Sequence, residues 1–262
     1  MDQMFPIPRI TEPFVDFVAE EIGWSRYADA KKLIQGRRNA DYFSDDLVIE
    51  LKIFEEEGLE KDIRQNKVAE LYRKYFGDQA AVNISFEDAP DEIRTKLKSI
   101  ISKPIQGAIK TASKQIKETK EDLCLNADGV LIAVNNGYTY LSADDFSKIV
   151  LERCKNDSSN IEYAVCISVE YHQGGFDSFV LCSIKCFSVK SNAPWKYEDT
   201  FVEVFQKRFA HMMSIMMMDQ MNPELWDNKL APVASISFER DGVTYFREAP
   251  HIPDSRFKTN KK

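Results

Sequence analysis

The fold of this chain is decided by the stretch from Asn39 to Phe54, which reads Asn-Ala-Asp-Tyr-Phe-Ser-Asp-Asp-Leu-Val-Ile-Glu-Leu-Lys-Ile-Phe. The stretch predicts a short strand, a tight turn at the paired aspartates and a second strand, because an alternating apolar run follows turn-forming residues. Side chains alternate at period two along a strand, so Glu50 and Lys52 project from the same face. Val48 and Phe54, which are apolar, lie on the same face.

A carboxylate and an ammonium on a partly apolar strand face lose hydration unless they pair with each other or bind a ligand. Asp41 lies across the predicted turn from Glu50, so the hairpin brings a second carboxylate beside the first. Two carboxylates and the backbone carbonyl of Leu51 form a set of hard oxygen ligands that suits Mg²⁺. The sequence therefore predicts a metal site, with Lys52 as a positive group beside it.

The tripeptide acid-any-lysine is weak evidence without its context. It also begins at Asp29, Glu118 and Asp227, but only the copy at Glu50 lies in an alternating strand that follows an acid-bearing strand. The alternative interpretation is a surface hairpin on which Glu50 and Lys52 form a solvated ion pair.

With this context the pattern resembles the PD-(D/E)XK superfamily of restriction-endonuclease-like nucleases. Asp41 stands in the place of the motif's aspartate, and Ala40 replaces its proline. Glu50, Leu51 and Lys52 stand in the place of its acid-any-lysine. In that superfamily a helix precedes the strands, the acids lie on neighbouring strands, and a further helix leads into another strand.

The resemblance implies a Mg²⁺-dependent nuclease, with Mn²⁺ as a substitute metal and DNA rather than RNA as the substrate. Asp41, Glu50 and Lys52 are the implied catalytic residues. Asp41 and Glu50 would hold the metal together with the Leu51 carbonyl. Two departures concern topology: a long insertion follows Phe54, and a strand before Asp41 is present only if the stretch 34–38 forms one.

The first predicted helix runs from about Thr11 to Leu33, with Thr11 as its cap. Glu21 falls inside its apolar stripe, and superfamily members often take an extra acid from this helix, so Glu21 is a further candidate metal ligand. A glutamate at the stripe edge can equally reach solvent. The stripe consists of Phe14, Phe17, Val18 and Ile22.

A second amphipathic helix is predicted from Lys103 to Leu123, inside a basic region. From Arg94 to Lys120 there are eight Lys or Arg and only Glu118 as an acid, a local charge of +7 in a chain of net charge −7. Such asymmetry is the electrostatic footprint of a polyanion partner, although lysines on an outer helix face are also ordinary solvated surface. The candidate nucleic-acid contacts are Gln106, Lys110, Lys114, Gln115 and Lys117.

The predicted fold class is α/β, with a mixed central β-sheet flanked by helices. Residues 1–142 are expected to form the restriction-endonuclease-like core, with a helical insertion at about 55–102. Residues 143–262 are expected to be a β-rich α/β extension of the same sheet, to which the sequence assigns no function. The individual predictions outside the hairpin are helices at 60–76, 142–155 and 198–221, strands at 129–135, 138–141, 161–171 and 176–189, and a hairpin at 241–242.

Composition limits the remaining function classes. The chain has 262 residues, 44% of them hydrophobic, and no run approaches the ~18 apolar residues of a membrane helix. We therefore expect no membrane partner and a cytoplasmic location. The five cysteines form no Cys-any-any-Cys pair, which favours reduced thiols in the core. The three histidines match no zinc spacing.

Two further questions concern partners and activity. The methionine-rich helix near 209–221 is either core filler or a homodimer contact. An alternative function is a catalytically inactive nuclease fold that acts as a nucleic-acid-binding or protein-interaction and inhibitor module. A second alternative is an unrelated α/β domain in which the Asp41 and Glu50 hairpin has no function.

Overall fold

The computed structural model describes residues 9–30, 38–55, 59, 61–77, 79–86, 89–123, 125–138, 140–173, 178–190, 192–219 and 236–247. Within these ranges the fold is α/β. The helices are α1 (Glu12–Ile22), α2 (Tyr27–Ala30), α3 (Asp62–Phe76), α4 (Asp91–Leu123), α5 (Ala143–Asp157) and α6 (Glu198–Asp219). The strands are β1 (Ser25–Arg26), β2 (Tyr42–Phe43), β3 (Leu47–Phe54), β4 (Ala81–Asn83), β5 (Asp128–Asn135), β6 (Tyr163–Gln173), β7 (Ser178–Ser188), β8 (Ile236–Arg240) and β9 (Val243–Arg247).

Six strands form the central mixed sheet in the order β1-β2-β3-β5-β6-β7. The three middle strands, β3, β5 and β6, are parallel, and antiparallel pairs extend the sheet at both ends. Between β3 and β5 the chain passes through α3, β4 and α4. The predicted strands of the second half, β6 and β7, therefore continue the sheet that carries the hairpin.

Helices cover both faces of the central sheet. Alternate residues of β3 and β5 pack against α4 and α5 on one face and against α1 and α6 on the other. β5 is buried along nearly its whole length, as expected for an apolar parallel strand with helices on both faces. None of the helices in the described ranges is both long and apolar enough to cross a membrane.

The helix α4 is longer than predicted. It begins at Asp91 rather than Lys103 and continues through Pro104 to Leu123. Ile93, Leu97 and Ile101 extend the apolar stripe toward the N-terminus at a spacing of four residues and are buried. This packing stabilises the helix across a proline that would otherwise end or kink it.

The first helix is shorter than predicted. It ends at Ile22, because Gly23 takes a left-handed conformation with φ of 88° and caps the helix through backbone hydrogen bonds. The chain then forms β1 at Ser25–Arg26, which supplies the extra strand before Asp41. The alternative position for that strand, 34–38, lies mainly outside the described residues, and Arg38 is not in a strand.

Two predictions for the chain after β5 are wrong. The strand predicted at 138–141 is absent from its described residues: Tyr138, Tyr140 and Leu141 lie in no strand, and the Asn135 side chain bonds the Tyr138 backbone. The terminal hairpin β8–β9 does not extend the central sheet but forms a separate sheet with β4, in the order β4-β9-β8. The insertion is therefore not wholly helical, and β9 pairs with a strand about 160 residues earlier in the chain.

Polar side chains of α4 hold the segment that leads into β2. Thr119 accepts a hydrogen bond of 2.7 Å from the Ala40 N–H, and Glu118 accepts one of 2.9 Å from the Arg38 N–H. Both the Thr119 side chain and Ala40 are buried. A buried backbone N–H that loses its acceptor pays its full desolvation cost, so this contact fixes the position of Asp41.

We predict that Thr119→Val lowers the free energy of unfolding by about 1–3 kcal/mol, because valine has the same shape but leaves the Ala40 N–H unsatisfied. Thr111→Val on the same helix is the control, since the Thr111 hydroxyl donates to the Gly107 carbonyl of its own helix and, among the described residues, bonds no other segment. The control should change stability by no more than about 0.5 kcal/mol. Chemical denaturation measures both; equal effects would contradict the assigned contact.

Candidate functional site

The predicted hairpin forms and places the Asp41 carboxylate beside β3. Tyr42 pairs with Ile49, and the Asp41 N–H donates to the Ile49 carbonyl at 3.1 Å. The Asp41 carbonyl accepts from the Tyr27 N–H at 2.8 Å. The Asp41 backbone is thus held from both sides, which leaves its side chain to turn toward β3.

The Asp41 side chain reaches β3 at Leu51. Asp41 Oδ2 accepts a hydrogen bond of 2.7 Å from the Leu51 N–H. The N–H and carbonyl of one residue leave an extended strand on the same side, so the Leu51 carbonyl also faces the end of β2. This is the arrangement required of the predicted carbonyl ligand.

Glu50 is the most unusual residue of the site. Its side chain is only 1% exposed. It lies on the face of β3 that also carries Val48 and Phe54, as the alternation predicted. Lys52 donates a hydrogen bond to Oε1, while Oε2 is buried and accepts no hydrogen bond from the described residues. Burial, followed by the negative charge of Asp41, raises the pKa of Glu50 to about 8.

The Asp41 carboxyl responds to the same surroundings. Burial raises the pKa of Asp41, whereas the Leu51 N–H and the Lys52 ammonium act in the opposite direction. Glu12, in the first turn of α1, contributes further negative charge and adds to the rise in pKa. Two acids that both resist ionisation form a site suited to a proton or a cation.

Lys52 is held by two partners and remains accessible. Its ammonium donates to Glu50 and, at 3.0 Å, to Gln115 Oε1 of α4. Gln115 Nε2 donates in turn to the Asn39 carbonyl at 2.9 Å. The Lys52 side chain is 23% exposed, so the site opens to solvent at this point.

Glu21, predicted as a further metal ligand, does not join the site. It pairs with Lys207 and Arg208 of α6, and hydrogen bonds to these two residues lower the pKa of Glu21. Glu21 lies near the end of α1, about 13 Å along the helix from Glu12, since each helical residue rises ~1.5 Å. The acid of α1 that acts on Asp41 is Glu12, which also pairs with Arg26.

The predicted contacts on the basic helix divide into two groups. Gln106 and Lys110 both bind Asp157 at the end of α5, with distances of 2.8 Å and 3.4 Å. Gln106 is nine residues, or about 13 Å, along α4 from Gln115 and so lies away from the acids. The structure therefore does not bring this pair to the site.

Lys114 and Lys117 lie nearer to Gln115 and are well exposed. Each forms an ion pair with an acid one turn later, Lys114 with Glu118 at 3.5 Å and Lys117 with Glu121 at 3.7 Å. Their side chains are 67% and 61% exposed, and pairs in this chain order are the weaker orientation on a helix. The positive charge predicted for this face is thus partly neutralised by neighbouring acids.

The sequence interpretation missed two residues of the site. Glu12 was passed over because it lies in the first turn of α1, outside the apolar stripe. Asn39 was not singled out, yet both polar atoms of its side chain are buried and bond no described residue. Its position two residues before Asp41 was the only available signal.

The donor set consists of two carboxylates and one carbonyl. Within the described ranges, no group of three or more His, Cys, Asp or Glu side chains is arranged to hold a metal ion. The described cysteines, which are Cys154, Cys166, Cys182 and Cys186, are reduced, and burial raises their pKa values. Comparison with protein-family models, with characterised proteins and with solved structures found no match to this chain.

The raised pKa of Glu50 predicts a pH-dependent stability. Folding raises the pKa from about 4.5 to about 8, so the folded protein holds the proton more tightly, and stability falls as pH rises between these values. Glu50→Gln carries no ionisable group there. We expect the variant to gain stability relative to the unaltered protein as pH increases from 5 to 8.5 in EDTA.

Chemical denaturation across this pH range measures the effect. Glu55→Gln is the control, because Glu55 follows β3 and is exposed. If the stability profiles of Glu50→Gln and the unaltered protein run parallel across the range, Glu50 does not have a raised pKa.

Proposed function

We propose that this protein is a Mg²⁺-dependent nuclease of the PD-(D/E)XK type that hydrolyses phosphodiester bonds of DNA. The observation that carries the proposal is the Glu50 carboxylate, buried next to Asp41 and Lys52 with one oxygen unpartnered among the described residues. A buried acid costs free energy that a solvated surface ion pair would not cost. This favours a ligand-binding role over the surface-hairpin interpretation.

The order of elements around the site supports the same proposal. The helix α1 precedes the antiparallel strands β1, β2 and β3, and α4 leads into β5, which lies parallel to β3. This is the order that the resemblance implies. Asp41 directly precedes β2, and β2 is the neighbour in the sheet of the acid-any-lysine strand β3, as the motif requires.

The residues present fit a hard divalent cation. Asp41, Glu50 and the Leu51 carbonyl offer oxygen ligands only, and Glu50 Oε2 accepts no hydrogen bond from a donor group of the described residues. When bound, Mg²⁺ supplies positive charge at the phosphate and lowers the pKa of a coordinated water. Asp41, Glu50 and the Leu51 carbonyl would leave positions for water, which Mg²⁺ commonly retains.

Lys52 acts at the solvent-exposed side of this site. Its ammonium, oriented by Gln115, is placed to hold an attacking water and to stabilise negative charge that develops on a phosphate oxygen. Gln115 uses both ends of its amide for Lys52 and Asn39, so it is a positioning residue rather than a phosphate contact. Asp41 is already fixed by the Leu51 N–H before substrate arrives.

Lys114 and Lys117 are the proposed contacts to the nucleic-acid backbone. They lie on the exposed face of α4 one residue before and two residues after Gln115, and their ion pairs are solvent-exposed and weak. A phosphate can therefore replace each acid as the partner of the lysine. DNA is proposed over RNA on the resemblance alone.

We predict that Asp41→Asn, Glu50→Gln and Lys52→Met each reduce Mg²⁺-dependent cleavage by about 10²-fold or more, because each removes a ligand or charge used in the transition state. Supercoiled, linear, branched and single-stranded DNA are the substrates, with Mg²⁺, Mn²⁺ or EDTA. Asp45→Asn, at the exposed turn of the same hairpin, should cleave like the unaltered protein.

Two results would count against the nuclease. Cleavage retained by Asp41→Asn and Glu50→Gln would remove these residues from the site. A protein that binds DNA but cleaves none of the substrates with either metal would favour the alternative function, an inactive binding module.

A second prediction concerns the basic face of α4. Lys114→Glu combined with Lys117→Glu should weaken DNA binding for all sequences and reduce the slope of log affinity against log salt by about two units, one for each lost phosphate contact. Lys110→Glu is the control, because Lys110 pairs with Asp157 away from the site. Affinities measured across a salt series test this; an unchanged slope would exclude these lysines as phosphate contacts.

A further inference from the structure

The two edges of the central sheet differ greatly in length. β1 at one edge has two residues, whereas β7 at the other edge has eleven and pairs with β6 over its whole length. Among the residues that the structure describes, β7 pairs with no other strand. Its outer side therefore presents a long row of backbone donors and acceptors.

β7 lacks the features that normally protect an edge strand. It contains no proline, its register with β6 is continuous without a bulge, and Lys185 is its only charged residue. Lys185 pairs with Asp144 of α5 within the same chain. Leu181, on the same face as Lys185, is 44% exposed.

The hydrogen-bonding phase of β7 identifies which residues face outward. The Val189 N–H donates to the directly opposite Glu162 carbonyl at 2.9 Å, and the same register continues along the strands. Paired residues alternate between bonded and non-bonded positions in an antiparallel ladder, so the odd-numbered residues of β7 bond β6. The outward groups belong to Ser178, Val180, Cys182, Ile184, Cys186 and Ser188.

We propose that β7 pairs antiparallel with β7 of a second copy of this chain, about a two-fold axis at Ser183. Ser183 is the midpoint of Ser178–Ser188, so this register pairs all eleven residues of each strand. The backbone groups of Ser183 bond β6, so Ser183 and Ser183 of the second copy stand opposite each other as a non-bonded pair. Cys182 and Ile184, both outward, form bonded pairs on either side of it.

Side chains in this register are compatible. Cys182 stands opposite Ile184, Val180 opposite Cys186, and Leu181 opposite Lys185 of the second copy. The single charge of the strand therefore meets an exposed leucine and not its own counterpart, which avoids like-charge repulsion. A symmetric dimer requires such self-complementary pairing, and the strand provides it.

The backbone alone offers a typical number of contacts. At the strand ends Ser188 contacts Ala193 of its own chain, so the pairs of Ser178 with Ser188 are left out of the count. Val180, Cys182, Ile184 and Cys186 of each strand form four bonded pairs, and each pair exchanges two hydrogen bonds, giving about eight. Stable protein interfaces contain about ten direct hydrogen bonds. The proposed contact differs from one through the methionine-rich helix, because it lies on the sheet edge rather than on α6.

Two variants that carry opposite charges at position 181 test the register. Leu181→Lys places a lysine opposite Lys185 of the second copy, at two symmetric positions, whereas Leu181→Glu places a carboxylate there. Full-length protein is studied by sedimentation equilibrium, with an expected mass of about twice 30.2 kDa for the unaltered chain. We expect the dimer of Leu181→Glu to have a dissociation constant about tenfold below that of Leu181→Lys.

A cysteine cross-link tests the two-fold axis directly. Non-bonded antiparallel pairs have Cα atoms about 4.5 Å apart, within disulfide range, so Ser183→Cys should form a covalent dimer on mild oxidation. Leu181→Cys is the matched control, because the two copies of position 181 would lie four residues, or about 14 Å, apart along the strands. Oxidation of the unaltered protein measures the background cross-linking by its own cysteines.

Several results would overturn the proposal. They are a monomer at all concentrations, a dimer that Leu181→Lys and Leu181→Glu affect equally, and equal cross-linking at positions 181 and 183. Circular dichroism of each variant confirms that the fold is retained, since Leu181 and Ser183 are not buried.

Discussion

The Glu50 carboxylate lies almost fully buried in the middle of the central sheet, where an isolated charge would cost several kcal/mol. The structure offsets this cost in two ways. Lys52 donates a hydrogen bond to one oxygen, and the raised pKa allows the carboxyl to keep its proton near neutral pH. A divalent cation at this site would compete with that proton, so its binding would release protons.

Much of the surrounding structure serves to keep Asp41 and Lys52 close to that carboxylate. The Asp41 backbone is bonded to β3 on one side and to Tyr27 on the other, and its side chain is bonded to the Leu51 N–H. From the opposite direction α4 holds Lys52 through Gln115 and the entry to β2 through Thr119. Because helix and strand fix these groups, a ligand at this site would require little reordering.

The sequence was sufficient for the hairpin because its signals are local. Period-two alternation placed Glu50 and Lys52 on one face, and the turn residues brought Asp41 beside them. The assignment of Glu21 failed because it depended on a stripe of Phe14, Phe17, Val18 and Ile22, whereas the buried residues of α1 are Val15, Val18 and Ala19. A stripe shifted by one residue is enough to move an acid out of the site.

Nonlocal pairing accounts for the rest of what the sequence did not reveal. The partner of β9 is β4, in the insertion, and nothing in either short strand specifies the other. The length of α4 was recoverable, since its isoleucine and leucine repeat continues before Lys103, but Pro104 obscured it. The ion pairs of Lys110 with Asp157 and of Lys98 with Glu152 likewise join α4 to α5, so composition alone overestimated the free positive charge.

The site and the long edge strand lie in different parts of one sheet. β5 and β6 separate β3 from β7, which places the two strands three spacings of about 4.8 Å, or about 14 Å, apart. The acids face the β2 end, whereas the proposed contact between copies uses the outer side of β7. Pairing at β7 would therefore leave Lys52 and the exposed face of α4 open, and a two-fold axis perpendicular to the sheet would present both sites on the same face. The proposed contact between copies and access to Lys52 would make no conflicting demands on this fold, because β5 and β6 lie between β3 and β7.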